Sequence, residues 1–465
     1  MSEVHRPIRA RAAAPAKAAV AELTAGALAV TAAVPAHAQK LPVIRDAEIE
    51  QVLRDYTQPI LRAAGLGKQN IRVVIINDRS FNAFVMDGRR IFVNAGALMD
   101  ATTPNQIIGV LAHEAGHIAG GHLSRLREQL ARAQTQSIIA MLLGIGAMVA
   151  AAQSGRDVGN PAPALLGPQE MIRRSLLSYQ RSQEEQADRA GVKFLSATQQ
   201  SPKGMWETFK RLADQILFAA QKADPYVQSH PMPADRVTAL QVYAQTSPYW
   251  DNKDPPELQL RHDLMRAKLS GFLDRRDSVA RRYPSTDSSL PARYARAIAT
   301  YRHSDLRAAV EQIDGLIEAA PNNPYFHELK GQALLEGGRA AQAIEPLRRA
   351  ARLAPHPELI QVMLAQALIG TNDRKHADEA ISLLRNALVR EPEMAEGHAQ
   401  LAMAYGRKGD LAQADLASAQ AAFTRGDYKT AREIAARAKT RFPIGSPGWV
   451  KADDIASFRP PNMRN

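Results

Sequence analysis

The stretch that decides the fold covers residues 104–122 and reads PNQIIGVLAHEAGHIAGGH. The apolar residues at 107, 108, 110 and 111 favour a helix that leads into the polar segment at its centre. Thr103 is predicted to cap this helix, and Pro104 is predicted to stand in its first turn, where the proline's missing N–H group is not needed. The histidines at 113 and 117 then lie one turn apart on a single face.

Two histidines at this spacing can bind one metal ion. His113 and His117 are four residues apart, so both imidazoles reach the same side of the helix. Glu114 follows the first histidine and is suited to accept a proton from a water that the ion activates. A catalytic zinc ion usually has three protein ligands and one open position, so a third ligand must come from another part of the chain.

The third ligand is predicted within residues 182–191, which read SQEEQADRAG. Glu184 and Asp188 share one face of the predicted helix, whereas Glu185 points about 100° away. Glu184 is therefore the preferred ligand over Glu185. Asp188 is expected to accept a hydrogen bond from the second ring nitrogen of a ligand histidine, His113. The alternative for this segment is a solvated acidic helix face without a metal.

These residues resemble the gluzincin metallopeptidases. The similarity is carried by His113-Glu114-x-x-His117 with Glu184-x-x-Ala187-Asp188, and by Asn82-Ala83-Phe84 and Val93-Asn94-x-Gly96. It covers roughly Ile44 to Val237. The resemblance implies a mostly helical zincin-type α+β domain, one Zn²⁺ per chain and the activity of a zinc metalloendopeptidase.

The resemblance also implies roles for two further segments. Asn82-Ala83-Phe84 matches the edge strand against which gluzincins hold an extended substrate through backbone groups. Ser229-His230-Pro231 with the following Arg236 is similar to a family segment whose histidine lies near the metal. His230 is expected to fill the fourth coordination position or to stabilise the oxyanion; the alternative is a structural histidine before a turn proline. His122 is predicted to be structural, because its spacing from His117 does not suit the same ion.

The residues ahead of the histidine motif have the pattern of a small α/β unit. A helix is predicted over Ile49–Leu61 and a strand over Ile71–Ile76, where β-branched residues dominate. Asn82–Val85 and Arg90–Val93 flank an Asp-Gly pair, which predicts a β-hairpin.

The residues between the two predicted site helices are harder to interpret. Residues 138–152 are nearly all apolar but are shorter than the roughly 20 residues that span a membrane. We expect a flap over the site or a membrane contact, and an ordinary core helix is the alternative. Residues 154–168 are rich in Gly and Pro and predict a mobile connection, after which a helix is predicted from Gln169 past Asp188.

The C-terminal part has the pattern of repeated helix pairs. Pro321, Pro355 and Pro392 are each predicted to follow the end of a helix, and they are 34 and 37 residues apart. The tetratricopeptide period is about 34 residues. Residues 373–376 are interpreted as a loop insertion. This pattern predicts an all-α tetratricopeptide solenoid, with a plain helical bundle as the alternative.

Composition and the N-terminal residues complete the predicted organisation. The chain has 465 residues, no cysteine and a net charge of +12, and its basic residues form no dense cluster, so we expect no nucleic-acid partner. A basic start, an apolar run and Ala36-His37-Ala38 predict a signal peptide over residues 1–38. The metallopeptidase domain is predicted over 39–253 and the tetratricopeptide domain over 254–465. The boundary is placed at Asp254-Pro255-Pro256, called the Pro-rich break below.

With the leader and the repeats, the resemblance narrows to the periplasmic β-barrel assembly-enhancing proteases of Gram-negative bacteria. It implies an exported endopeptidase that degrades misfolded or misassembled outer-membrane proteins and assists their assembly. The repeats would contact the outer-membrane assembly machinery, and a peripheral membrane contact is also expected. The rival hypothesis is a repeat-based periplasmic chaperone or assembly adaptor with a latent or vestigial zinc site.

Overall fold

The computed structural model describes residues 42–133, 135, 162–218, 225–303 and 305–460. The predicted signal peptide (1–38) and the apolar segment 138–152 lie outside these ranges. Residues Val43–Asn465 form one compact unit. Within the described ranges, no helix is both long enough and apolar enough to cross a membrane.

A small mixed sheet lies at the start of this unit. Its strands are β1 (Val43–Ile44), β2 (Arg72–Ile76), β3 (Ala83–Val85) and β4 (Arg90–Asn94), in the order β1-β2-β4-β3. β2 and β4 are parallel, and the other two pairs are antiparallel. The predicted strand at 71–76 and the predicted hairpin are confirmed. Gly88 has φ +73° in the hairpin turn, a backbone conformation that glycine adopts without strain. β3 is an edge strand of this sheet.

The helix Ala47–Ala63 confirms the helix predicted over 49–61. Asp46 caps it, because its carboxylate accepts a hydrogen bond from the backbone N–H of Ile49 at 2.9 Å. Val52, Leu53 and Tyr56 are buried in the same apolar core as the sheet and the histidine helix. This packing supports the sheet from one side.

The helix that carries the histidine motif covers Pro104–Ala119 and is called the His113 helix below. Thr103 stands at the predicted N-cap position, but its side chain makes no capping hydrogen bond. The backbone N–H of Asn105 instead donates to Asp254 Oδ2 at 2.9 Å, from the Pro-rich break far along the chain. The start of this helix is therefore capped by a residue that is distant in the sequence, not by Thr103.

The helix that carries the acidic segment covers Ala162–Ala197 and is called the Glu184 helix below. It begins seven residues before the predicted start at Gln169, so the prediction of a loop is wrong from residue 162 onward. Residues 154–161 lie outside the described ranges. The two named helices pack closely on each other.

The remaining described elements are helical. Before the Pro-rich break they are 122–133, Lys203–Phe218, Pro225–Ser229 and Ala234–Ala244; after it they are Pro256–Leu273, Arg276–Arg282, Leu290–His303, Leu306–Ala319, Pro324–Glu336, Ala340–Leu353, Glu358–Gly370, Ala377–Arg390, Ala395–Lys408, Leu411–Thr424, Tyr428–Arg441 and Pro447–Ser457, with a 3₁₀ turn at Arg374–His376. Together with the short sheet, these helices give a mostly helical α+β chain.

The later helices form a helical repeat region. Each one packs mainly on its neighbours in sequence, which is typical of stacked helix pairs. Pro321, Pro355 and Pro392 each follow the end of a helix, as predicted, and the 3₁₀ turn lies at the predicted insertion. The assignment of these pairs to the tetratricopeptide class, and the domain boundary at residue 254, remain predictions.

Candidate metal centre

Four side chains from three separate segments meet at one point in the structure. His113 and His117 come from the His113 helix, Glu184 comes from the Glu184 helix, and His230 follows the short helix Pro225–Ser229. One donor atom from each of the four lies within 4.8 Å of the others. Three of these side chains are buried and His117 is half-buried, so most of the cluster is removed from solvent.

The distances within the cluster suit one small ion. His113 Nε2 lies 3.0 Å from His117 Nε2, and Glu184 lies 3.4 Å from each of these nitrogens through its two oxygens. His230 Nδ1 lies 3.4 Å from His113 Nε2 and 3.0 Å from Glu184 Oε2. Donors about 3.3 Å apart are expected when each is about 2.0–2.1 Å from a tetrahedral ion. The residues therefore fit a metal ion, and the N/O donor set is one that zinc accepts.

Glu185, the alternative to Glu184, is not in the cluster. It pairs with Arg189 at 2.7 Å on the same helix, and both side chains are exposed. The 100° offset between adjacent helical residues separates the two glutamates, as the sequence predicted.

A buried ion pair supports the cluster from behind. Asp188 Oδ1 faces His113 Nδ1 at 2.9 Å, the contact expected from the spacing of Asp188 and Glu184. Arg236 donates to both oxygens of Asp188 at 2.7 and 2.8 Å. The same guanidinium lies 2.9 Å from Glu184 Oε2 and also donates to the carbonyl oxygen of Pro231. The sequence had indicated Arg236 only as part of a motif, without these contacts.

The electrostatics keep Glu184 and His117 in forms that can bind a metal. Burial would lower the pKa of His113, but Asp188 and Glu184 outweigh it and raise this pKa to about 9, so His113 must release a proton when a metal binds. Burial would raise the pKa of Glu184, but His230 and His113 hold it well below its usual range, so the group is a carboxylate. Burial also opposes ionisation of Asp188, and Arg236 outweighs that effect and lowers its pKa. Burial lowers the pKa of His117 well below its usual value, so its imidazole is neutral. Carboxylate and neutral imidazole are the forms that coordinate metals.

Glu114 lies beside the cluster and not in it. Its side chain is 1% exposed, and burial raises its pKa above the usual value. Tyr226 donates its hydroxyl to Glu114 Oε1 at 3.4 Å, and His230 Nε2 lies 3.6 Å from the same oxygen. A carboxylate whose pKa is raised toward neutrality is suited to accept and return a proton.

His122, predicted to be structural, is not a member of the cluster but contacts one of its members. Its Nδ1 lies 3.0 Å from Nδ1 of His117. Gly121 between them has φ +63°, which turns the chain back toward the preceding helix. The Gly-Gly pair before this histidine was the sequence signal for such a return.

The predicted substrate segment lies at the edge of the sheet. β3 begins at Ala83, and the carbonyl oxygen of Asn82 accepts a hydrogen bond from the backbone N–H of Asn94 at 2.9 Å. Phe84 stacks on Phe92 with 5.2 Å between ring centroids. β3 also packs on the His113 helix, which carries two members of the cluster. Its role in binding substrate remains a prediction.

Comparisons with known proteins agree with this geometry. Residues 44–244 match the family model for peptidase family M48. The chain is 23% identical over 416 residues to the beta-barrel assembly-enhancing protease of Escherichia coli (strain K12), covering 87% of this chain and 82% of that protein. A Vibrio cholerae protein named for the same activity is 29% identical over 209 residues, which cover 44% of this chain and 41% of the relative. Metalloprotease LoiP of Escherichia coli (strain K12) is 30% identical over 170 residues, covering 36% of this chain and 59% of that protein.

Proposed function

Because residues 44–244 carry a metalloprotease domain of peptidase family M48, we propose that His113, His117 and Glu184 bind one Zn²⁺ and that the chain cleaves unfolded or misassembled envelope proteins. The observation that carries this proposal is the set of donors 3.0–3.4 Å apart with Glu114 beside them. No packing requirement accounts for two imidazoles and a carboxylate directed at one buried point.

The proposed mechanism uses Glu114 as the proton carrier. When bound, Zn²⁺ supplies Lewis acidity, polarising the scissile carbonyl and lowering the pKa of the attacking water. Glu114 Oε2, which has no hydrogen-bond partner among the described residues, accepts the proton of that water. The protonated Glu114 then donates to the nitrogen of the leaving amine, so one group serves both steps.

Arg236 and Asp188 support these steps without contacting the substrate. Arg236 keeps Asp188 ionised, so Asp188 remains an acceptor for His113, and its guanidinium also pairs with Glu184 and holds that carboxylate in place. A carboxylate acceptor raises the basicity of the histidine that it orients. The substrate would lie extended along β3 and pair through backbone groups, which makes few demands on its sequence.

His230 would regulate the site. Its Nδ1 supplies the fourth donor of the cluster, in the position that a catalytic zinc site leaves open for water or substrate. His230 therefore has to move before peptide hydrolysis begins. The same observation favours the second candidate function, an assembly adaptor whose zinc site stays latent until a client arrives.

The relatives and the predicted leader support a periplasmic setting for this function. Export to the periplasm, with removal of residues 1–38, would bring the chain to outer-membrane proteins. The relative from Escherichia coli (strain K12) is named for enhancing β-barrel assembly. The helical repeat region would contact the assembly machinery, since stacked helix pairs bind protein segments over extended surfaces.

Glu114→Gln tests the catalytic assignment. The variant should bind zinc as the parent does, measured by elemental analysis, and its cleavage of casein or an unfolded barrel protein should fall about 10²- to 10⁴-fold. His113→Ala should lose the metal itself. A zinc-replete Glu114→Gln protein that cleaves casein at the parent rate would contradict the mechanism. If neither the parent nor His230→Ala cleaves either substrate, the adaptor function replaces the protease.

A further inference from the structure

The two ligand histidines of the proposed zinc site are oriented by different partners. Nδ1 of His113 faces the carboxylate of Asp188 at 2.9 Å. Nδ1 of His117 faces the imidazole of His122 at 3.0 Å. Both ligand histidines direct their Nε2 atoms at the cluster, so each presents its second nitrogen to a separate group.

The chemistry of a neutral imidazole sets the direction of the second contact. A histidine that offers the lone pair of Nε2 to a metal carries its proton on Nδ1. His117 is therefore the donor to His122, and Nδ1 of His122 is the acceptor. The proton of neutral His122 must then be on Nε2.

Packing alone does not explain a histidine at this position. His122 is 3% exposed, and its Nε2 has no hydrogen-bond partner among the described residues. A buried polar atom without a hydrogen-bond partner destabilises the fold, and an apolar side chain would avoid that cost. A Cβ atom added at Gly120 would lie 2.3 Å from Nε2 of His122. The glycine at this position therefore leaves the space that the His122 ring occupies. The interaction that accounts for a histidine at this position must therefore be the contact of its Nδ1 with His117.

A neutral acceptor also suits the charge of the site. Glu114, Glu184 and Asp188 contribute three buried carboxylates, and Arg236 is the guanidinium that contacts two of them. The single positive charge of Arg236 and the two charges of a divalent cation together balance the three negative charges of these carboxylates. A carboxylate beside His117 would leave the site with net negative charge, whereas an imidazole orients the ligand without adding charge.

We propose that His122 is a positioning residue that accepts the Nδ1 proton of His117 and so fixes the tautomer and ring orientation of this zinc ligand. The inference rests on the proposed zinc site and adds a residue to it. Removing a partner of this kind typically weakens metal binding by about 10- to 100-fold.

Three variants of the full chain separate this role from packing. His122→Phe keeps a ring of similar shape without the acceptor, and should weaken zinc binding by about 10- to 100-fold in competition with a chelator. His122→Asn should recover most of the affinity, because its Oδ1 stands where Nδ1 stood. His398→Phe is the control: His398 is a half-buried histidine whose Nε2 bonds to a backbone carbonyl, but it lies in the repeat region, far along the chain from the cluster. The zinc affinity of His398→Phe should equal that of the parent.

The absorption spectrum of the Co²⁺-substituted proteins gives a second readout, independent of activity. The d–d bands should change in His122→Phe and return toward those of the parent in His122→Asn. Unchanged zinc affinity and an unchanged Co²⁺ spectrum in His122→Phe would overturn the inference while the proposed zinc site stands. A parent protein that binds neither metal would overturn both. If His122→Phe does not fold, His122→Gln is used in its place. The acceptor oxygen of glutamine does not stand where Nδ1 stood, so the same loss of zinc affinity is expected.

Discussion

Arg236 is the residue on which the charge of the site most depends. Its guanidinium lies within 2.9 Å of Glu184 and 2.7 Å of Asp188, and all three side chains are buried. A buried carboxylate is tolerated only when a cation or hydrogen-bond donors replace the lost water. Arg236 replaces the lost water for both carboxylates at once, because its planar guanidinium has separate N–H groups for each of them.

Arg236→Ala should therefore destabilise the metal-free protein by about 3–5 kcal/mol, since it leaves two buried acids without their cation. The free energy of unfolding, measured with urea in the presence of a chelator, checks this value. Arg236→Lys keeps the charge but cannot span both carboxylates, so its loss should be smaller. An Arg236→Ala protein within 1 kcal/mol of the parent would show that the acids are neutralised in another way.

At the scale of elements, the site depends on how closely the His113 helix approaches the Glu184 helix. Gly116 is at the point of contact: a Cβ atom added there would lie 2.9 Å from the carbonyl oxygen of Ala187 and 3.2 Å from Cβ of Ala190. Since backbone cannot give way as a flexible side chain does, the helices would have to separate. The proposed zinc ligands lie on both helices, so separating the helices would move the donor atoms apart.

Gly116→Ala should lower the stability by about 1–3 kcal/mol through overpacking, and should also weaken zinc binding. Chelator competition and urea unfolding measure the two effects. Gly406→Ala is the matched control, because Gly406 is also helical and a Cβ atom there would meet nothing within 4 Å. That variant should gain about 0.5–1 kcal/mol, the usual difference between glycine and alanine in a helix. Equal effects of the two substitutions would refute the close-approach explanation.

At the scale of the whole molecule, the helix Pro256–Leu273 connects the peptidase part with the repeat region. Met265 and Leu269 belong to the core that contains the sheet, whereas Leu264 and Ala267 belong to the core of the first repeat helices. Its Lys268 is 3% exposed and lies 2.8 Å from Asp46, at the start of the first helix. This helix therefore contributes to the cores of both parts.

His262 on this shared helix makes the stability depend on pH. Its Nδ1 lies 3.0 Å from the Tyr56 hydroxyl and its Nε2 lies 3.0 Å from the carbonyl oxygen of Ala101. Burial lowers the pKa of His262 to about 4. The unfolded chain takes up this proton near pH 6.5, whereas the folded chain resists it until about pH 4. The stability from neutral His262 is therefore complete above pH 6.5 and is lost as the pH falls toward 4.

Over that pH range the contribution amounts to about 3 kcal/mol. The free energy of unfolding should be measured at pH 7 and pH 4.5 for the parent and for His262→Gln, which cannot titrate. The parent should lose more stability between the two values than the variant does. Equal losses would mean that His262 does not couple folding to pH, since all other groups titrate alike in both proteins.

The sequence by itself determined which side chains could share one face of a helix. The four-residue spacings of His113 with His117 and of Glu184 with Asp188 are properties of any helix, so each pair could be placed on one face before a structure existed. The Asp-Gly hairpin, the helix ends before prolines and the mostly helical content followed from equally local rules.

Only the tertiary structure decided how these groups meet. The contacts of Arg236 with Glu184 and Asp188, the cap that Asp254 provides for the His113 helix, and the shared helix of the two cores all join residues far apart in the chain. Such contacts depend on how helices pack, and side-chain periodicity within one segment carries no information about the partner. The contact between His117 and His122 escaped prediction for a related reason. It depends on a positive φ at Gly121, which turns a nearby histidine out of the helical register that spacing assumes.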